Sequence, residues 1–450
     1  MNLLFVISIF WGICFGILDS LSSSILIIIS FLCNTIACST IRNHTTKVKA
    51  YKLATIVSCV YFISAYINSL NFDNTKFFLV LDPTTYFPFL NLTAPNTDFA
   101  EYIKSCYFEL SDSNALHEVY VRYASIIANN YFDGATVLFQ TLLHTIFGVL
   151  ASLTLFRILS RYFDSSKSFR YALVFALCSP FFYYSTVVIR DIIIAYFYIR
   201  GFEIILEKFS VKGIVQLIIL MLLTWGCRLY SGFFYSLLIL YYLYINFKTT
   251  IYGKFVLFLM ILIGSTVIIS GGLSSAVEQS QNELLVYQEL DSERGAEIGG
   301  GLSYKLLSLP TGIKEIALFF YSQMFPFPFY SGLTTFGNIE QFYAGLMFSI
   351  YPLFWFLIFY QLLLYLIWFK EYKHLNNNLL ILLFIAYAFI ILNTAHIDPR
   401  RIMPMYPLLY LIFLYVRENF VSRKKAYQAR RLLLSSYFIL IVAYLFVKFV

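Results

Sequence analysis

The sequence predicts an all-α polytopic membrane protein with about 13 transmembrane helices and two large extracytoplasmic loops. Of its 450 residues, 60% are hydrophobic and only 12% are charged, whereas a soluble protein carries about a quarter charged residues. The mean hydropathy is +0.75. Apolar runs of roughly 18 residues, long enough to cross a bilayer as a helix, recur along the chain. These observations predict a single transmembrane domain over residues 1–450.

The predicted spans follow the apolar runs. They lie near residues 2–18, 20–40, 51–70, 136–156, 171–189, 192–206, 213–227, 231–246, 255–273, 341–368, 379–395, 402–416 and 432–450. The first run has no basic segment before it and no evident cleavage site, so we interpret it as an uncleaved span. The two spans that flank Arg190-Asp191 are short, and one broken or re-entrant unit is an alternative for them.

The distribution of charge predicts the topology. The connections assigned to one side hold 20 of the 32 basic residues, and those assigned to the other side hold 19 of the 24 acidic residues. Because basic residues collect in cytoplasmic loops, the N-terminus is predicted to be cytoplasmic. The loops 71–135 and 274–340 are then outside. The net charge of +8 is therefore a topology signal, and we expect no nucleic-acid partner.

Several classes of protein are disfavoured by what the sequence lacks. The seven cysteines lie mostly in apolar runs without metal-ligand spacing, which argues against a disulfide framework or a zinc site. The sequence contains no Walker motif, which argues against an ATP-driven pump of that type. It also contains no G-x-S-x-G motif, which argues against a serine hydrolase. No cofactor and no metal are expected.

The first candidate site residues are in Asp82-Pro83-Thr84-Thr85-Tyr86, early in the first outer loop. A carboxylate held near the membrane can deprotonate or orient a sugar hydroxyl. Asp82 is therefore a candidate catalytic base, with Tyr86 beside it as a candidate substrate ligand. A solvated loop aspartate is the alternative, because seven other acids share this loop.

The second candidates are Arg190 and Asp191, at an outer boundary between two apolar runs. Adjacent residues on a helix point about 100° apart and cannot form an i,i+4 pair. Each side chain therefore needs its own partner, and Arg190 is suited to phosphate. A tight outer turn is the alternative. Arg190 also precedes Gly201 in an Arg-x10-Gly spacing, but this spacing arises readily by chance.

The third candidates are in Trp225-Gly226-Cys227-Arg228-Leu229-Tyr230, again at a predicted outer boundary. Arg228 and Tyr230 are candidate ligands for a polar substrate. Alternatively, Arg228 extends its guanidinium to the lipid headgroups.

The fourth candidates are in His396-Ile397-Asp398-Pro399-Arg400-Arg401, between two apolar runs. Arg400 and Arg401 can bind a diphosphate bidentately. His396 is a candidate acid or base with an ordinary pKa near 6.5, and Asp398 either shares the chemistry or holds the arginines. Two prolines soon afterwards are predicted to distort the first turns of the next span. Anchoring at the headgroup layer is the alternative.

These clusters, taken in order over roughly residues 75–415, resemble bacterial integral-membrane glycosyltransferases of the GT-C type and the neighbouring Wzy-type O-antigen or capsular repeat-unit polymerases. The features that carry the resemblance are Asp82 and Tyr86; Ser179-Pro180 with Ser185 and Arg190-Asp191; Leu309-Pro310-Thr311-Gly312 leading to Pro326-Phe327-Pro328; and Arg400-Arg401-Ile402-Met403-Pro404 with Pro407.

The resemblance implies glycosyl transfer between polyprenyl-diphosphate-linked sugars at the outer leaflet of the bacterial inner membrane, polymerising O-antigen (lipopolysaccharide) or capsule repeats. It implies diphosphate binding by Arg190, Arg228, Arg400 and Arg401, and a base at Asp82 or His396. Aromatic loop residues such as Tyr330 and Phe336 would stack on sugars. The implied partners are the lipid-linked oligosaccharide and membrane lipids, and a chain-length regulator is compatible with them.

Two alternative functions remain. A GT-C enzyme of another kind adds a single sugar from a polyprenyl-phosphate donor. A lipid-linked oligosaccharide flippase or other transporter should carry charges deep in many spans. Here only Arg200 and Glu203 are clearly intramembrane. Because they are three residues apart on a predicted helix, we expect them to pair with each other.

Overall fold

The computed structural model describes residues 2–70, 88–94, 99–104, 115–247, 306, 309–310, 313–330, 339–393 and 399–449. All regular secondary structure within these ranges is helical. The all-α prediction is confirmed for this part of the chain.

Eleven helices are described before residue 248. They are α1 Asn2–Leu18, α2 Leu21–Ser39, α3 His44–Leu70, α4 Phe99–Lys104, α5 Ala115–Tyr131, α6 Val137–Leu159, α7 Ser165–Cys178, α8 Pro180–Tyr184, α9 Arg190–Ile205, α10 Val211–Cys227 and α11 Leu229–Phe247.

Five α-helices are described after that point. They are α12 Ile313–Ser322, α13 Ile339–Leu363, α14 Asn377–Asn393, α15 Tyr406–Asn419 and α16 Arg423–Phe449. A π-helical turn, Leu364–Trp368, extends α13, and short 3-10 turns occupy Glu371–His374, Pro399–Arg401 and Met403–Met405.

Among the described residues, five helices are long and apolar enough to cross a membrane. They are Leu21–Ser39, His44–Leu70, Val137–Leu159, Gly345–Trp368 and Arg423–Phe446. Four shorter apolar helices, Leu3–Leu18, Val211–Cys227, Ser231–Phe247 and Asn377–Ile391, fall below that length. Thirteen spans are therefore not established. The predicted span near 255–273 lies outside the described residues, and the one over 171–189 is broken, because α7 ends at Cys178.

The outward faces of several helices support a membrane environment. On α16, Phe438, Ile439, Val442 and Phe446 are all exposed. An apolar surface of this kind is unfavourable in water and marks a membrane or protein contact. Apolar helices with exposed apolar faces indicate a membrane protein.

The described chain divides into two compact units. The first comprises Met1–Tyr235 and Gly332–Tyr351, and the second comprises Ser236–Ser331 and Pro352–Val450.

The core of the first unit is built around α6, which packs against α2, α3, α7 and α9. Its apolar residues are distributed around the whole helix, and nearly all of them are buried, as expected of a helix surrounded by others. Polar side chains join the neighbouring helices. The Asn34 side-chain amide donates to Ser58 Oγ over 3.1 Å, a bond of the kind that holds membrane helices together.

One end of this unit is closed by Asp133. Its carboxylate accepts hydrogen bonds from the backbone N–H groups of Leu21 (2.6 Å) and Ser22 (3.0 Å) at the start of α2. Partial burial acts to raise the pKa of Asp133, but these hydrogen bonds outweigh it and hold the pKa below its usual value. Thr136 donates to Asp19 over 2.7 Å in the same region.

The connection between α1 and α2 and the connection between α5 and α6 are both predicted to lie outside, and these hydrogen bonds join them. At the other end, Lys49 contacts Ser166, which joins two connections predicted to be cytoplasmic. The pairing of helix ends therefore agrees with the predicted alternation of spans. The side of the membrane on which each end lies stays a prediction.

The second unit is held together by aromatic residues. The rings of Trp355 and Tyr406 stack with their centroids 3.6 Å apart, and Trp355 Nε1 donates to Gln323 Oε1 over 2.9 Å. Tyr437 on α16 packs edge-on against Phe327. Phe327 belongs to the proline-rich aromatic run 324–330, which is irregular because proline interrupts a helix.

The predicted first outer loop is more structured than expected. It contains α4 and the 17-residue helix α5, which packs against α6 and α10. A 3-10 turn is described at residues 88–91, and α4 ends at Lys104, where the described residues break off until Ala115. Most of the predicted second loop lies outside the described residues, apart from α12 and the aromatic run.

Candidate functional site

Four of the predicted site residues, Asp82, Tyr86, His396 and Asp398, lie outside the described residues. Tyr230 lies in the first turn of α11, and its side chain is not described. The predicted chemistry at these positions stays a prediction.

The chain around the second candidate cluster is shaped by Ser179 and Pro180. Ser179 Oγ accepts from the backbone N–H of Phe181 over 3.3 Å and caps α8, with Pro180 in the first helical turn. This is the usual way for serine and proline to begin a helix. After α8 the backbone becomes extended at Ile189, and α9 begins at Arg190. The helix therefore breaks at Ser179, inside the predicted span 171–189, and resumes as α9 at Arg190, which favours the alternative of one broken unit.

The second and third candidate clusters meet in an ion pair. Arg228 Nη2 donates to Asp191 Oδ1 over 2.6 Å. Asp191 is 0% exposed and Arg228 is 2% exposed. Asp191 thus has a partner other than Arg190, as the adjacency of these two residues predicted. The burial of Arg228 argues against the alternative in which it extends to the headgroups.

Each partner of this ion pair also suits its place on a helix. Asp191 lies in the first turn of α9, where the helix dipole stabilises a negative charge. Arg228 follows α10 directly, where the dipole favours a positive charge, and its backbone N–H donates to Thr224 O over 2.9 Å. The ion pair joins the start of one helix to the end of its neighbour.

A buried pair of histidines bridges α5 and α6. The Nε2 atoms of His117 and His144 are 2.7 Å apart. His144 Nδ1 lies 2.8 Å from the carbonyl oxygen of Gln140, which can only accept, so Nδ1 carries the proton. With both rings neutral, His144 Nε2 is then the acceptor, and His117 donates to it.

Electrostatics connects this pair to the arginines. Burial lowers the pKa of His117 well below its ordinary value, and the charges of His144, Arg190 and Arg228 lower it further. His117 is therefore neutral at pH 7. We call His117, His144, Arg190, Asp191 and Arg228 the His–Asp–Arg cluster.

His117 and His144 were not among the residues that sequence reasoning selected. His117 lies in a segment of the predicted first loop that was not expected to be helical. On α5 it begins a buried stripe with Val121, Ser125 and Ala128. These positions have helical spacing, but half of the stripe is polar. A search for apolar periodicity alone therefore misses it.

The backbone beside the cluster is held against α6 by a close approach at Gly148. A Cβ at this position would lie 2.5 Å from Ser185 Cβ and closer still to Ser185 Oγ, with Tyr61 Cε2 at 3.0 Å. Thr145, one turn earlier on α6, donates to the carbonyl oxygen of Ser185 over 2.9 Å. Only glycine at position 148 allows this contact.

The Arg-x10-Gly spacing has an explanation in packing. A Cβ at Gly201 would lie 2.9 Å from Tyr235 Cζ, and Tyr235 Oη donates to the carbonyl oxygen of Phe197 over 3.1 Å. The absence of a side chain at Gly201 therefore lets Tyr235 of α11 approach α9 and donate a hydrogen bond to a carbonyl oxygen of that helix. It lies far along α9 from Arg190.

Arg400 and Arg401 belong to the second unit. They lie in a 3-10 turn, Pro399–Arg401, and a second turn, Met403–Met405, precedes α15. The predicted distortion of these first turns is confirmed. Both arginines are buried, which argues against their anchoring at exposed headgroups. That they bind one ligand together with Arg190 and Arg228 stays a prediction.

Comparisons with known proteins add no relative. No protein-family model, curated protein or solved structure matches the chain.

Proposed function

We propose that this protein is a membrane glycosyltransferase of the bacterial inner membrane. It joins polyprenyl-diphosphate-linked sugars at the outer leaflet and so polymerises O-antigen or capsule repeats. The proposal includes the thirteen-span topology with loops 71–135 and 274–340 outside. Its substrate is a polyprenyl-linked oligosaccharide, which enters the site from the surrounding lipid bilayer.

The observation that carries the proposal is the buried Asp191–Arg228 ion pair beside Arg190. Charge placed inside a membrane protein is costly and usually marks a pathway or a ligand site. Arg190 adjoins this pair in the first turn of α9. The positive charges of Arg190 and Arg228 suit the diphosphate leaving group, whose negative charge grows as its bond to the anomeric carbon breaks and the new glycosidic bond forms.

The ion pair also supports the proposal through its rigidity. Arg228 is held by Asp191, and Asp191 is held at the start of α9. Donors that are already oriented need no rearrangement when charge develops, so they stabilise a transition state more than mobile side chains do. Arg190 is only partly buried. A ligand can therefore reach Arg190 more readily than Arg228.

The base that removes a proton from the acceptor hydroxyl is proposed to be Asp82 or His396, with Asp398 as a further candidate. Arg400 and Arg401 are proposed to complete the diphosphate site, and Tyr86 and Tyr230 to contact the sugars.

The test is to replace Arg190, Arg400 or Arg401 by alanine in the native host and to separate its surface polysaccharide on a gel. A polymerase that lacks one of the arginines that bind diphosphate should leave single repeats on the lipid core. Arg170→Ala is the matched control, because Arg170 is exposed on α7 and belongs to the predicted cytoplasmic side. A full-length ladder from all three variants, at unchanged protein levels, contradicts the proposal.

The same gel separates the alternatives. A single-sugar transferase gives repeats that lack one sugar, and a flippase gives repeats trapped on the cytoplasmic leaflet. Reporter fusions at Lys52, Asp98, Glu289 and Arg423 test the topology. A cytoplasmic signal at Asp98 overturns the orientation on which the proposal depends.

A further inference from the structure

A second cluster of charges lies at the opposite end of α6 and α9. Arg157 donates to Glu203 from Nε (2.7 Å) and from Nη2 (2.9 Å), a bidentate pair between the two helices. Arg200 pairs with the same carboxylate, as the sequence predicted. Arg161 approaches it to 3.7 Å and also pairs with Glu207. We call these five residues the three-arginine cluster.

The cluster holds more positive charge than its carboxylates need. One bidentate arginine already satisfies a buried carboxylate such as Glu203. Three arginines against two glutamates leave a net charge of one positive unit. Part of this charge is explained by the ends of α6 and α9, because the C-terminus of a helix favours cations.

The hydrogen bonds of the arginines lead to the same conclusion. Each guanidinium carries five N–H groups, so three supply about 15. Arg157 makes four hydrogen bonds to described residues, and Arg161 and Arg200 make two each. About seven N–H groups are therefore available to water or to a ligand.

These arginines border a cavity of about 580 Å³, which Thr40, Asn43 and Ser160 also line. The side chains of Arg157, Arg161 and Arg200 are 18%, 30% and 27% exposed, whereas that of Glu203 is 3% exposed. The three cations are thus more exposed than the Glu203 carboxylate, although Glu203 and Glu207 also line the cavity. Ligand sites in proteins commonly have volumes of about 300–1,000 Å³.

The chemistry of the cavity selects its ligand. Guanidinium groups match the oxygens of phosphate in pairs. The helix ends around the cavity belong to connections that the distribution of charge assigns to the cytoplasmic side. Basic pockets between membrane helices on that side are suited to phosphorylated lipid headgroups.

We propose that the three-arginine cavity binds a phosphate group, carried either by an anionic phospholipid or by a soluble phosphorylated ligand. Arg161 and Arg200 contact the phosphate, while Arg157 stays paired with Glu203. This site is separate from the His–Asp–Arg cluster, and it does not depend on the function proposed for that cluster.

The test uses the full-length protein in nanodiscs and in neutral detergent. For the lipid source, nanodiscs of phosphatidylglycerol mixed with phosphatidylcholine are prepared, and the phospholipids retained after release are identified by native mass spectrometry. For the soluble source, inorganic phosphate is titrated at constant ionic strength against chloride, and the unfolding temperature is followed.

The decisive variant is Arg161→Gln/Arg200→Gln, which changes the charge of the cavity from one positive to one negative unit while Arg157 remains with Glu203. It should weaken binding about tenfold or more. Glu207→Gln adds a positive unit and should strengthen binding. Should the double variant fail to fold, Glu207→Gln alone still decides the question. Arg170→Ala is the control for a general loss of surface charge.

The outcomes separate cleanly. Retained phosphatidylglycerol that the double variant loses supports the site with a lipid source. Stabilisation by phosphate that the double variant loses supports it with a soluble source. The proposal is overturned if neither probe binds, if Glu207→Gln leaves binding unchanged, or if Arg170→Ala weakens binding as much as the double variant does.

Discussion

The two ends of α6 and α9 carry two clusters that each contain an ion pair between arginine and a buried carboxylate. His144 and Arg157 on α6, like Asp191 and Glu203 on α9, are separated by about 20 Å along their helices. The same two helices thus hold an aspartate–arginine pair at one end and a glutamate with three arginines at the other.

The difference between these ends lies in access to water. Arg228 and Asp191 are both almost fully buried. The arginines around Glu203 are partly exposed, outnumber their carboxylates and border a cavity. The first arrangement favours a fixed geometry, and the second favours exchange with a ligand. The surroundings of an ion pair therefore indicate its role better than its residue types do.

The largest effect is expected from Arg228→Ala. It leaves the fully buried carboxylate of Asp191 without its ion-pair partner, which should cost about 3–5 kcal/mol of unfolding free energy. Denaturant unfolding of the purified protein in detergent measures this. The double variant Asp191→Asn/Arg228→Ala removes the stranded charge and should recover much of the loss. If it recovers nothing, the contrast between the two clusters in burial is wrong.

Glu203→Gln should have a smaller effect, about 1.5–3 kcal/mol. The amide keeps the shape of the side chain but loses the charge that three arginines share, and water in the cavity solvates those arginines. The same unfolding assay measures the loss. A loss equal to that of Arg228→Ala would mean that water has no better access to the three-arginine cluster than to the His–Asp–Arg cluster.

Acid should affect the two clusters differently, because only one of them contains histidine. The folded pKa of His117 lies below its unfolded value near 6.5, so below pH 6.5 the unfolded chain binds a proton that the folded protein does not. The unfolding free energy should therefore decrease by about 1.4 kcal/mol for each unit by which the pH is lowered below 6.5, until the folded pKa is reached.

Burial is the main factor that opposes protonation of His117, and the nearby His144, Arg190 and Arg228 add to it. The variant His117→Asn should flatten the decline in unfolding free energy between pH 6.5 and pH 5. An equal decline in wild type and variant would place the acid-sensitive group elsewhere.

The smallest effect is expected from Arg161→Ala. Arg161 and Glu207 are 30% and 48% exposed, and an exposed pair contributes less than about 1 kcal/mol. Unfolding free energy should hardly change, whereas phosphate binding in the cavity should weaken. A large loss of stability would assign Arg161 a structural role and would reduce the contrast between the two ends.

The sequence was informative where a single segment decides the outcome. Apolar runs predicted the helices, and Pro404 and Pro407 predicted the distorted start of α15. The adjacency of Arg190 and Asp191 predicted separate partners, because neighbouring residues on a helix diverge. Each of these conclusions depends on local geometry, which a sequence contains.

Pairings between distant segments could not be predicted in the same way. Arg228 lies 37 residues from Asp191, and nothing in either segment specifies the other. Arg157 joined the expected Arg200–Glu203 pair only because α6 packs on α9. Such contacts follow from the packing of whole helices, and one sequence without relatives does not reveal them.

Gly148 has a consequence for how this protein can change over generations. A methyl group at this position collides with both side-chain atoms of Ser185, so Gly148→Ala alone is damaging. Once Ser185→Gly has occurred, both of these collisions are gone, and the contact with Tyr61 Cε2 at 3.0 Å is left to be accommodated. The two substitutions are thus epistatic, and descendants can acquire them in only one order without passing through a strained intermediate.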